Sequence, residues 1–69
     1  MKLSARNQVK GTVVKIEKGA TTSHVSIAIG GGVVLMASIT NEAVADLALV
    51  EGASAYAVIK ASDVMVGVE

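Results

Sequence analysis

Lys60 and Ser62 stand two residues apart near one end of the chain, and Ser4, Arg6 and Asn7 cluster near the other. Thr40 lies between them, at a junction from an apolar run to a helical pattern. Cations, hydroxyls and amides of this kind can donate hydrogen bonds to an anion, and their positions at element ends, with free backbone N–H groups nearby, let them converge on one. A plainer reading also stands. Arg6 and Lys60 are then solvated charges, and Ser4, Thr40 and Ser62 cap turns. Exposed charges are the norm, so pattern alone favours the plainer reading.

Other chemistry has less support. There is no cysteine and one histidine, His24, which excludes a thiolate site and is too few for a histidine-built metal centre. A serine, His24 and either Asp46 or Asp63 could be assembled on paper into a triad, but no nucleophile motif recommends them. No catalytic residue and no cofactor are assigned, and an enzyme is not expected. The run Gly30-Gly31-Gly32 lacks the Lys-Ser/Thr of a phosphate loop and precedes no helix, so it reads as a hairpin turn.

The elements that must hold these residues are mostly strands. Val9–Lys18 reads as the first, with Thr12, Val14 and Ile16 on one face. After a turn at 19–22, Ser23–Ile29 alternates, with Val25, Ile27 and Ile29 on one face. Val33–Ile39 is nearly all apolar, which predicts a strand covered on both faces: one by the core, the other by a second subunit. Thr40 or Asn41 can cap a short helix whose apolar side is Ala43, Val44, Leu47 and Ala48, with Glu42 favoured in its first turn. Ser54–Lys60 is a fourth strand and Val64–Val68 a fifth, with Ala61-Ser62-Asp63 as the turn between. Three strands, a short helix and two strands is the order of the OB-fold. The expected class is therefore all-β: an OB-fold-like five-stranded barrel with one short helix between strands 3 and 4.

Composition bounds the whole. Sixty-nine residues form one domain, spanning 1–69. A domain of this size is marginal alone, and with neither disulfide nor metal the expected support is self-association. Apolar residues make up 52% of the chain but include a single aromatic, Tyr56, so the core is thin and the surplus apolar surface points to a neighbouring subunit. Six basic and six acidic side chains cancel. With neither basic excess nor stacking aromatics, a nucleic-acid partner is not expected. No apolar run approaches a membrane span, and Met1–Asn7 has no apolar signal core, so a cytoplasmic location without a membrane partner is the expectation.

Two end motifs carry a resemblance. Ser4-Ala5-Arg6-Asn7-Gln8 followed by Gly11-Thr12-Val13 resembles the opening of the molybdate-binding Mop (TOBE-type) domain, and Ala57-Val58-Ile59-Lys60-Ala61-Ser62-Asp63-Val64-Met65 resembles its close. Ser38-Ile39-Thr40, the short helix with Val44 and Leu47, and Glu51-Gly52 are similar as well. A chain that is one such domain resembles a molbindin. The resemblance implies an OB-like barrel assembled as a homohexamer, a trimer of dimers, with molybdate or tungstate at subunit interfaces and a role in oxyanion storage and homeostasis. Oxyanion sensing on behalf of a partner protein is the alternative. The resemblance also implies a site from Ser4, Arg6, Thr40 and Lys60, with Ala5 and Asn7 as backbone donors and Ser62 as an added hydroxyl. Some relatives have Ser in the helix's first turn where this chain has Ala43. A second class of site near a threefold axis is implied too, for which Ala20, Thr21, Thr22, Ser23 and His24 are the candidates.

Overall fold

The computed structural model describes residues 1–69. Four strands, β1 (Asn7–Lys18), β2 (Thr22–Gly30), β3 (Val33–Thr40) and β4 (Ser54–Ile59), are joined by one short helix, α1 (Asn41–Asp46), between β3 and β4. A single 3-10 turn, Ala61–Asp63, follows β4. All pairings are antiparallel, in the order β3-β2-β1-β4. The all-β class, the helix and its placement are as the sequence predicts. The fifth strand is not formed: Val64–Glu69 pairs with nothing in the chain, and the sheet is a curled half-barrel with two free edges. The last backbone hydrogen bond of the chain is the one from the Val64 amide to the Ala61 carbonyl at 3.3 Å that closes the 3-10 turn, and a strand needs a ladder of such bonds.

The long strand β1 does two jobs. Its first half pairs with β4, from Asn7 opposite Ile59 to Thr12 opposite Ser54, and its second half pairs with β2. Gly11 lies where the two pairings overlap. A Cβ there would collide with the Ala28 carbonyl oxygen and the Ile27 side chain, so only glycine lets the strands close to this distance. Immediately after, the register with β2 slips between Val13 and Lys15. Such a bulge inserts one residue and bends the strand. It also corrects the face assignment. Val13 is fully buried and Ile16 half-buried, whereas Val14 and Thr12 are exposed, because the inserted residue reverses the alternation midway.

The turn between β2 and β3 is a two-residue loop, Gly31-Gly32, inside the pair Gly30–Val33. Both loop residues have positive φ, 63° and 77°, the condition of the tight turn that matches strand twist. β3 then presents Leu35, Ala37 and Ile39 inward, while Val34 and Met36 stand exposed on the other side. The two-sided cover expected for this strand is thus half supplied by the chain itself. The core is small: Val13, Val25, Ile27 and Ala57, with Val9, Ile16, Leu35, Ile39, Val44 and Leu49 packed against it. No helix is long and apolar enough to cross a membrane.

Candidate functional site

The β1–β4 ladder gathers the residues of the two end motifs. Its last pair is Asn7–Ile59, locked further by the Asn7 Nδ2, which donates to the Ile59 carbonyl at 3.2 Å. Arg6 and Lys60 flank that pair, one residue beyond it on each strand. Ser4 and Ser62 each lie three residues from it along the chain. Ser4, Arg6, Lys60 and Ser62 are exposed, and Ala5 and Asn7 half-buried. Two cations and two hydroxyls therefore share one corner. The only ion pair in the chain is elsewhere, Lys15 with Glu17 at 3.4 Å, so Arg6 and Lys60 are not matched by carboxylates. Lys60 immediately follows β4 and opens the 3-10 turn, its carbonyl accepting from the Asp63 amide at 2.9 Å. Its position is fixed at the backbone while its ammonium reaches solvent. This corner can bind a small anion through charge-assisted hydrogen bonds.

Thr40 is not part of that corner. It ends β3, pairs with Thr22, and sits beside the β1 terminus where Lys18 faces Ser23. Lys60 is at the opposite terminus of the same twelve-residue strand. At roughly 3.3 Å per residue the two are on the order of 30 Å apart along β1. Within one chain the expected donors thus form two separated groups.

The Thr40 group has its own construction. Thr40 caps α1, its Oγ1 accepting from the Ala43 amide at 3.0 Å, which resolves the choice between Thr40 and Asn41. The hydroxyl proton of Thr40 meets no acceptor in the chain and is free to donate outward. Asn41 ties the helix to the loop before β2. Its amide nitrogen donates to the Ala20 carbonyl at 3.3 Å and the Gly19 carbonyl at 3.0 Å, its backbone N–H to Thr21 at 2.9 Å, and its side-chain oxygen accepts from Ser23 Oγ. Of the second group of candidates, Ser23 is fully buried and its hydroxyl is engaged by Asn41, whereas Ala20, Thr21, Thr22 and His24 are exposed. His24 lies on β2 between Glu17 and Ser38.

Asn41 is the organising residue that the sequence offered only as an alternative cap. Its signal was weak, a single polar residue after Thr40, and its role depends on a loop 20 residues away. The one cavity beside it, about 280 Å³, is lined mostly by apolar groups, Ile16, Val44 and Leu49 among them, with Lys18, Ser23 and Asn41 as its polar residues. No group of three or more His, Cys, Asp or Glu side chains comes together anywhere in the chain.

The chain is similar to known proteins over nearly its whole length. The pattern of the TOBE domain family matches residues 3–66. A probable molybdenum-pterin-binding protein of Haemophilus influenzae is 56% identical over 69 residues, the whole of both chains. The solved structure of MopII from Clostridium pasteurianum superposes with a TM-score of 0.90 at 42% identity, covering 97% of this chain and all of that one. The cytoplasmic molybdate-binding protein ModG, solved with molybdate bound, gives a TM-score of 0.94 at 52% identity; it covers all of this chain, which spans 49% of ModG. The chain belongs to the TOBE-domain family, in its Mop-type branch.

Proposed function

We propose that this protein binds molybdate or tungstate, without catalysis, for intracellular storage and homeostasis of the oxyanion. Full-length identity of 56% to a protein named for molybdenum-pterin binding carries the reading, and the likeness to ModG with molybdate bound supports the free oxyanion as ligand. The donor chemistry agrees. A tetrahedral oxyanion has acceptors only, and the groups available are N–H, O–H and ammonium donors. Ser4, Arg6, Lys60 and Ser62, with backbone donors at Ala5 and Asn7, form one part of the site. Thr40 forms the other.

Because Lys60 and Thr40 lie at opposite termini of β1, one copy does not close such a site by itself. Two copies do, if the Lys60 corner of one meets the Thr40 corner of the next. The site is then an interface site, and a homohexamer built as a trimer of dimers is the assembly proposed. The loop 20–24, next to Thr40, is proposed as a second oxyanion position, with His24 and the two threonines as donors. Selection over sulfate rests on cavity size, since molybdenum–oxygen bonds are longer than sulfur–oxygen bonds and a rigid interface enforces the difference.

Isothermal titration with molybdate, tungstate, sulfate and phosphate tests the reading. Molybdate and tungstate are expected to bind while sulfate and phosphate compete poorly. Equal affinity for sulfate would sink the size argument, and no heat with either metal oxyanion would sink the function.

A further inference from the structure

Asn41 gathers a whole loop around one residue. Its side-chain nitrogen donates to the Gly19 carbonyl at 3.0 Å and the Ala20 carbonyl at 3.3 Å, and its backbone N–H donates to the Thr21 carbonyl at 2.9 Å. Three successive carbonyls therefore turn toward Asn41. Its side-chain oxygen accepts from the hydroxyl of the fully buried Ser23, which fixes the amide with its nitrogen toward the loop.

The other half of each peptide follows from this. All peptide bonds of the chain are trans. In a trans peptide the carbonyl of one residue and the N–H of the next point in opposite directions. With the Gly19 and Ala20 carbonyls held against Asn41, the N–H groups of Ala20 and Thr21 face away from it. Neither N–H has a hydrogen-bond acceptor in the chain, and both residues are exposed.

A loop ordinarily offers one acceptor for every donor, so an anion beside it meets both. Here the acceptors are engaged inside the molecule and the donors are left outside. Successive outward N–H groups form a concavity suited to an anion. The exposed Thr22 follows the loop, and Lys18, whose ammonium has no carboxylate partner, precedes it.

We propose that Asn41 is the positioning residue of the second oxyanion position. By holding the carbonyls of Gly19, Ala20 and Thr21 inward, it makes the N–H groups of Ala20 and Thr21 the donors that face the anion. Both side-chain N–H groups of Asn41 are already engaged by the loop, so it acts through the loop and is not itself a ligand. The assignment rests on the reading of loop 20–24 as an oxyanion position.

Two variants separate geometry from charge. Asn41→Asp keeps an acceptor for Ser23 but presents a carboxylate to the Gly19 and Ala20 carbonyls, which it repels. Asn41→Ala loses the same donors and adds no charge. Sodium molybdate is titrated into the nitrogen-15-labelled full chain, and amide shifts are followed at Ala20, Thr21, Lys60 and Ser62 in one sample. All four are expected to move in the unsubstituted chain. In both variants the dissociation constant read at Ala20 and Thr21 should rise about tenfold or more, the effect of one charge-assisted hydrogen bond. The constant read at Lys60 and Ser62 should rise by less than about threefold. General loosening of the molecule would instead weaken both pairs alike. Equal weakening at both pairs overturns the proposal, and so does an Ala20 and Thr21 response that survives Asn41→Ala. If Asn41→Ala does not fold, Asn41→Ser, uncharged and able to donate to only one of the two carbonyls, takes its place with the same expected outcome. Silence at Ala20 and Thr21 in the unsubstituted chain while Lys60 and Ser62 respond overturns the proposal and leaves the proposed function standing. Silence at all four takes down the proposed function, and this assignment with it.

Discussion

Among single residues, Lys60 offers the sharpest test of the proposed site, because its backbone is fixed by the strand end and its ammonium has no carboxylate partner. A charge-assisted hydrogen bond to a partly buried anion is worth about 1.5–3 kcal/mol. Lys60→Met keeps most of the stem and removes the charge. It is expected to weaken molybdate roughly ten- to a hundredfold by titration, as each 1.4 kcal/mol is a factor of ten. Lys10 neutralised in the same way should change affinity little; equal losses at both positions would mean that diffuse charge, not a ligand, is being measured. Asn41 is a different kind of residue. Removing its side chain leaves the buried Ser23 hydroxyl without its partner and frees two loop carbonyls. Asn41→Ala should cost about 1–3 kcal/mol of stability in urea unfolding. It should also loosen the loop 19–22, read as faster amide exchange there. An unchanged unfolding midpoint would show that solvent replaces these bonds at no cost.

At the scale of elements, the end of α1 carries a built-in weakness. The Leu49 amide donates to Val44 and the Ala48 amide to Ala45, the paired bonds that commonly close a helix on a left-handed glycine. Here that position is Ala48, at φ 51°. Ala48→Gly removes the strain of a Cβ in that region, part of which is offset by glycine's larger unfolded-state entropy. The expected net gain is about 0.5–1 kcal/mol, read as a melting temperature several degrees higher; a lower one would mean that the Ala48 methyl packs usefully. Legibility in the sequence also divides by element. The strands, the helix and the Gly31-Gly32 turn were readable because each rests on local periodicity or local φ. The bulge at Val13–Lys15 was not, since Val13-Val14 offers two equivalent apolar residues and only pairing with β2 decides which is buried. That Val64–Val68 finds no partner strand was not readable either. Its alternation is that of a strand, but pattern does not say whether a sheet edge is there to receive it. Of the candidate site, element-end positions showed which side chains were available, while the strand order that separates Thr40 from Lys60 depends on which strands neighbour β1.

For the whole molecule, the separation of the two donor groups makes a prediction that no single-chain site can imitate. Six residues are buried, and fourteen large apolar side chains are exposed, which already favours association of copies over a lone domain. If each oxyanion site joins the Lys60 corner of one copy to Thr40 of another, then Lys60→Met and Thr40→Val chains each form only defective sites by themselves. In a co-refolded equal mixture, a site that draws Lys60 from a Thr40→Val chain and Thr40 from a Lys60→Met chain is whole. Random assembly makes that about a quarter of all sites, treating the copies as independent. Titration of the mixture with molybdate should therefore show a tight class of about that stoichiometry on top of the weak class, absent from either variant alone. Thr40→Val removes the helix cap as well as the hydroxyl, which costs about 1 kcal/mol of stability. Thr40→Ser, keeping both the cap and the donor, is expected to bind close to the unsubstituted affinity and separates the two effects. A mixture whose binding is merely the average of its two components would place the whole site within one chain or deny one of the two residues a role, and the interface reading would fall with it.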